Sequence, residues 1–390
     1  DGNDRYEYLP TDYGYMAVKL PAAENAAVAS IPDSENDGEN VQIDKTRYVI
    51  EENEADDTDD ARASSTSADS GEEPKGTRFS SFAEAAISNF HESSLNLFSR
   101  ELYPSIRSAY DPNLVQIATA DGKFSGIDNV PIYGDHSSVF NVNFGGYPFH
   151  AVLLHAALHG IFGTNYNSVQ MRINDIEQYI EDRDVIAKNG GDVKPSVVCL
   201  PFNITSLGVM ENLDKIFTDK NPDKLKTIVV ASTPNAKVEL QLDWEIPSSV
   251  IYCSTVRKDD AGNLYMPANR ATVANGNTQD KLFLFPDQTG ALGVEFGAEM
   301  VDGQLCLFPE FYGIHVSGAS LSTLIATTFI SAIISELLAS GEEYSEELIM
   351  QTLKDLCPKV DVGGVVGRVP DINKVRTFFG RKLLLPSIHA

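Results

Sequence analysis

Leu114-Val115-Gln116-Ile117-Ala118-Thr119-Ala120-Asp121-Gly122 decides the fold. Seven residues of apolar and β-compatible type run without a charge and stop at an Asp-Gly pair, the pattern of a strand buried on both faces that ends in a turn. Reading outward, strands and helices alternate. Phe82 to Leu102 reads as a helix leading in, His150 to Phe162 as an Ala/Leu-rich helix, and Ser168 to Lys188 as a second with Ile173, Ile176 and Ile180 on one side. Pro195 to Leu200 is a strand, Gly208 to Phe217 a helix and Lys226 to Ser232 a strand. Val250 to Ser254 and Leu282 to Phe285 continue the sheet, and the long helix from Ser320 and a final one at Ser345 to Leu356 close the domain. Such alternation predicts an α/β fold, a mostly parallel sheet with helices on both faces.

Composition bounds the rest. Acids outnumber bases 56 to 30, for a formal charge of −26, which excludes a phosphate-binding face and hence nucleic acid as a partner. Much of the excess lies in Glu51-Glu52-Asn53-Glu54 and Asp56-Asp57-Thr58-Asp59-Asp60, amid Ser, Ala and Gly. Residues 24–77 therefore read as an acidic, solvated linker with one short strand at Thr46 to Ile50. Ahead of it, residues 1–23 form a tyrosine-rich segment whose apolar patch Met16 to Leu20 is expected to dock on the main domain, 78–390. The acidic run lacks the EF-hand spacing.

Cys199, Cys253, Cys306 and Cys357 are widely separated, without the Cys-x-x-Cys pairs of zinc or redox sites. Val316 to Ser335 is long enough to span a membrane and carries no charge, but its Ser and Thr content and the following Glu336 favour the buried helix of a large core over a membrane span. The chain starts at Asp1 with no apolar leader, as a processed secreted protein or a trimmed chain would.

In open α/β sheets, functional groups gather where strands end and the next helices begin. Asp121 ends a strand, His150 opens a helix and Ser320 opens another. A nucleophilic serine needs a base, and the base a carboxylate to orient it; Asp, His, Ser is one of the chain orders in which that triad occurs. The neighbouring residues make this specific. Gln116 to Gly122 resembles the Asp-Thr-Gly or Asp-Ser-Gly strand of the subtilisin-like serine peptidases, the subtilases. Gly146-Tyr147-Pro148-Phe149-His150-Ala151-Val152 resembles their His-Gly-Thr-His-Val-Ala-Gly block at its second histidine, and Ser317-Gly318-Ala319-Ser320-Leu321-Ser322 resembles Ser-Gly-Thr-Ser-Met-Ala. Val197 to Asn203 stands in the place of the substrate strand, and Ile228 to Asn235 in that of the strand ending at the oxyanion asparagine.

The resemblance runs from about Leu114 to about Leu356 and implies a three-layer subtilisin-like fold. It also implies a triad of Asp121, His150 and Ser320 with Asn235 in the oxyanion hole, a protein or peptide substrate, and a secreted or other extracytoplasmic setting. No organic cofactor is required; the family often binds structural calcium, for which no loop here supplies a matching ligand set. Oligomeric state stays open.

The blocks also depart from the family. Pro148-Phe149 replaces Gly-Thr, Pro234 replaces the glycine before Asn235, and Thr323-Leu324 replaces the proline of the serine helix. Pro201-Phe202-Asn203 replaces Ser-Leu-Gly, altering what is expected to be an edge strand at the point where proline removes a donor. These changes keep a pseudopeptidase open as the alternative function. Other roles stand beside the chemical ones: Asp121 as a turn residue, Ser320 as an N-cap, Asn235 as a turn residue. His155 and His159, at i and i+4, could share a metal, but no carboxylate ligand accompanies them, so packed histidines are expected.

Overall fold

The structure is a computed structural model; it describes residues 5–11, 14–20, 49–51, 97–121, 124–125, 130–134, 140–141, 149–203, 207–234, 239–241, 248–267, 272–274, 279–301 and 304–380. Its centre is an eight-stranded sheet. In chain order the strands are β1 (Gln116–Ala120), β2 (Ser168–Met171), β3 (Ser196–Asn203), β4 (Thr227–Ser232), β5 (Val250–Thr255) and β6 (Leu282–Phe285). An antiparallel ribbon, β7 (Gln288–Val301) with β8 (Gln304–Ser317), follows, and β9 (Lys359–Val362) and β10 (Val365–Arg368) complete the sheet. The helices are α1 (Leu97–Ala109), α2 (Phe149–Phe162), α3 (Ile176–Lys188), α4 (Leu207–Asp219), α5 (Ala319–Ala339), α6 (Glu346–Leu356) and α7 (Ile372–Phe379).

The strand order is β2-β1-β3-β4-β5-β6-β10-β9, and every pairing is parallel except β9 with β10. From β1 the chain moves outward to β2 through α2, then returns past β1 to β3 through α3. Right-handed crossovers in opposite directions put their helices on opposite faces. The core obeys this. Ile117, Val197, Cys199, Val230, Cys253 and Phe285 pack with Leu158 of α2 and Phe329 of α5. The alternate residues Ala118, Val198, Leu200, Ala231 and Leu284 pack with Ile180 of α3 and Phe217 of α4. With both faces covered, β1 and β3 to β6 need apolar residues at consecutive positions, which is why they read as strand-like runs.

α5 passes the length and composition test for a membrane span, the only helix to do so among the described residues, yet 89% of its most apolar window is buried inside the fold. Its hydroxyls are satisfied locally. Thr323 donates to Ala319 O, Thr327 to Thr323 O and Ser331 to Thr327 O, at 2.8 to 2.9 Å. A Ser/Thr-rich helix thereby crosses an apolar core without orphaned donors.

Several expectations need correction. Ser168 to Lys188 is not one helix: Ser168–Met171 is a buried strand beside β1, and helix begins at Ile176 after a 3₁₀ turn at Ile173–Asp175. Four residues are too few for periodicity to separate strand from helix, and pairing decided. The leading helix is Leu97–Ala109, extending past Leu102; residues 82–96 lie outside the described residues. β3 continues through Pro201 to Asn203 and lies between β1 and β4, so it is an inner strand and not an edge. Ser345 to Leu356 is not the last helix, since the β9–β10 hairpin and α7 follow. The tyrosine-rich segment contains the hairpin Arg5–Thr11 with Gly14–Leu20, to which Val49–Glu51 adds a third strand; it overlaps the expected Thr46 to Ile50 at Val49 and Ile50, and residues 46–48 lie outside the described residues. The rest of the acidic linker lies outside the described residues.

Candidate active site

β1 and β3 are neighbours whose following connections leave in opposite directions, so the sheet's topological switch point lies at their carboxyl ends. Asp121 stands there, immediately after β1 and only 3% exposed. It is in phase with Ile117 and Thr119, which places it on the sheet face covered by α2 and α5. Thr119 pairs with Cys199 of β3, so two residues further on Asp121 and Pro201 stand at the same level.

Ser320 reaches this level from the other side. It is the second residue of α5, 5% exposed, and its Oγ donates to the carbonyl of Pro201 at 2.7 Å. The residue that caps α5 is Gly318, with no side-chain cap, so Ser320 is not the N-cap. Two positions on, Ser322 Oγ lies 3.1 Å from Thr255 Oγ1 at the end of β5. The first turn of α5 is thus fastened to two strands at their carboxyl ends, a placement that neither helix propensity nor capping preference would dictate.

His150 is the second residue of α2, the helix that leaves from the same region; its side chain lies outside the described residues, as does Asn235 entirely. The structure therefore brings Asp121 and Ser320 to one sheet edge on one face and starts the His150 helix on that face. Further along α2, His155 Nε2 and Thr119 Oγ1 are 2.9 Å apart, fully buried, which ties the helix of the expected base to the strand of the expected acid. Burial pushes the His155 pKa down to about 3, so the ring is neutral. His159 Nδ1 donates to Gly163 O at 3.0 Å, which leaves Nε2 to accept from the Tyr166 hydroxyl at 3.0 Å. Both rings are packed, as expected, and among the described residues no group of three or more His, Cys, Asp or Glu is placed to hold a metal.

Near the same edge Arg257 and Asp287 form a two-pronged ion pair, Nε to Oδ1 at 2.9 Å and Nη2 to Oδ2 at 3.0 Å, with Asp287 fully buried. Cys199 and Cys253 line the underside of α5, and desolvation raises both thiols well above the ordinary range, as it does Cys357; they are buried packing residues, not nucleophiles.

No protein-family model matches the chain. No curated protein matches it either. Among solved structures it is similar to the prenylagaramide maturation protease PagA, at 15% identity over 72% of this chain and 97% of that one, with a TM-score of 0.47. The A-subunit of the AB5 toxin from E. coli is similar at 16% identity over 72% of this chain and 99% of that one, TM-score 0.47. A lanthipeptide protease is similar at 11% identity over 75% and 95%, TM-score 0.46.

Sequence reasoning missed the partner of Ser320. The signal was present in Pro201, a proline late in a strand, but its consequence for a carbonyl and a serine 119 positions apart is a tertiary fact. It likewise missed Thr119 and Ser322 as ties between the elements of the site.

Proposed function

We propose that the chain is a divergent subtilisin-like serine endopeptidase with the three-layer arrangement of that family. The observation that carries this is the convergence of Asp121 and Ser320, expected from sequence blocks 199 positions apart, on one face at the switch point of a parallel sheet. In the proposed reaction Ser320 Oγ attacks the scissile carbonyl while His150 takes its proton and returns it to the leaving amine. Asp121, held at the end of β1, orients His150 and balances the imidazolium. The Ser320 amide and the Asn235 side chain receive the oxyanion, each donor worth on the order of 3 kcal/mol in the transition state. The substrate is a protein or peptide, the setting extracytoplasmic, and no step passes through a metal or organic cofactor.

A serine-directed fluorophosphonate tests this. The wild-type chain is expected to label at Ser320, and Ser320→Ala, His150→Ala and Asp121→Asn to lose or slow labelling while remaining folded. A well-folded wild type that does not label sinks the proposal.

A second reading, a pseudopeptidase that keeps the fold as a binding module, is favoured by two observations. The Ser320 proton is committed to a backbone carbonyl. The residues before His150 are Pro148-Phe149 where the family has Gly-Thr, a departure beside the expected base. Labelling that survives in His150→Ala would also remove His150 as the base.

A further inference from the structure

In a parallel sheet an inner strand offers its carbonyls to the neighbouring ladders. Pro201 breaks that rule. It has no N–H to give, and the β3–β4 ladder skips it: Leu200 pairs with Ala231, and the next pair is Asn203 with Ser232, so Pro201 and Phe202 on β3 face no residue of β4. β1 ends at Ala120, opposite the residue before Pro201. The Pro201 carbonyl therefore leaves the sheet pairing, and its partner is the hydroxyl of Ser320 at 2.7 Å, both residues being buried.

We infer that Pro201 is a positioning residue of the proposed reaction, a latch whose carbonyl holds the Ser320 hydroxyl proton away from the base in the resting protein. The inference rests on the peptidase reading. An attacking serine must give its proton to a base, and a hydroxyl has one proton to donate. As long as that proton lies on the Pro201 carbonyl, Ser320 is not a nucleophile, and reaction requires the bond to open and the Oγ to turn. The bulge and the serine thus form one device: proline takes the carbonyl out of the ladder, and the carbonyl parks the proton.

The device is tested in the full chain with Pro201→Leu, which restores a donor to β3, with Ser320→Ala, and with the double variant; Pro201→Ala replaces the leucine variant if leucine does not fold. Two measurements are made, urea unfolding as a double-mutant cycle and the rate of fluorophosphonate labelling. The latch predicts non-additive stabilities and labelling of Pro201→Leu roughly two- to tenfold faster than wild type, the worth of one hydrogen bond. Additive stabilities, with labelling present but no faster in Pro201→Leu, overturn the latch and leave the peptidase reading intact. Non-additive stabilities with no labelling in either chain overturn the peptidase reading, and the latch with it, leaving only a structural bond.

Discussion

The two ends of the sheet use polar side chains in opposite ways. At the amino ends of β3 and β4, Arg183 is 8% exposed and closes on Thr227 Oγ1 at 2.9 Å, Lys194 O at 2.6 Å, Leu225 O at 3.0 Å and Lys226 O at 3.1 Å. One guanidinium thus bridges three backbone carbonyls, two of which it shares with Ser196 N and Thr227 Oγ1, and its rigid fork suits that task. At the carboxyl ends, beside the Arg257–Asp287 pair, the polar groups that the serine helix contributes are short and hydroxyl-bearing. Ser320 makes one bond to Pro201 O, Ser322 one to Thr255. A fork with several bonds is hard to open; a hydroxyl with one is easily turned. The guanidinium site at the amino ends of β3 and β4 is built for permanence and the first turn of α5 for exchange, which is where a reactive group belongs in a fold of this topology.

That contrast can be broken by experiment. Arg183→Leu should have the largest effect on stability, roughly 3–5 kcal/mol in urea unfolding, because it removes four hydrogen bonds of a buried guanidinium at once. Labelling of the fraction that stays folded should be unchanged. A loss below about 1 kcal/mol would mean that the amino end is no more rigid than the other.

His155, between the two ends, should give the next effect, and it depends on pH. Its pKa is about 3 when folded, against an ordinary 6.5, because burial penalises the charged ring. The unfolded chain therefore binds the proton first. This contribution to stability is complete above about pH 6.5 and falls away as pH drops toward about 3, by an amount on the order of a few kcal/mol. Unfolding free energies measured across that window should flatten in His155→Gln relative to wild type; parallel curves for the two proteins would refute a buried neutral ring. Smallest of the three, Ser322→Ala should cost about 0.5–1.5 kcal/mol, the value of one hydroxyl contact, while slowing labelling by loosening the first turn of α5. Equal labelling in that variant would show that the turn is held by packing alone.

Much of this architecture was legible in the chain. β1, β4, β5 and β6 announce themselves as apolar runs because both faces of the sheet are covered, and α2 and α5 because they are apolar all round. Asp121 and Ser320 were legible from their places at a strand end and a helix start. What could not be read follows from pairing. Ser-Val-Gln-Met at 168–171 has no period of its own and becomes a strand because β1 offers an edge. The β7–β8 ribbon was missed although its signal was present: Asp302-Gly303 is a two-residue hairpin dipeptide between two runs of alternating residues. The expectation of an edge strand at Val197 to Asn203 failed because strand order is not written in any single segment. His150 and Asn235 remain expectations of the sequence, the first placed only as a residue of α2 and the second beyond the described residues.

The position of α5 in the chain has a consequence for how the protein is made. The helix shares with α2 one face of a sheet whose first six strands lie between residues 116 and 285. A ribosome delivers those strands first, then the ribbon, and α5 only afterwards. At roughly 5–20 residues per second, the part of that face not covered by α2 lies open for several seconds before residue 339 is available to close it. During synthesis that face is a surface for chaperones to hold or for neighbouring chains to stick to, and the serine of the candidate site arrives with the segment that seals it.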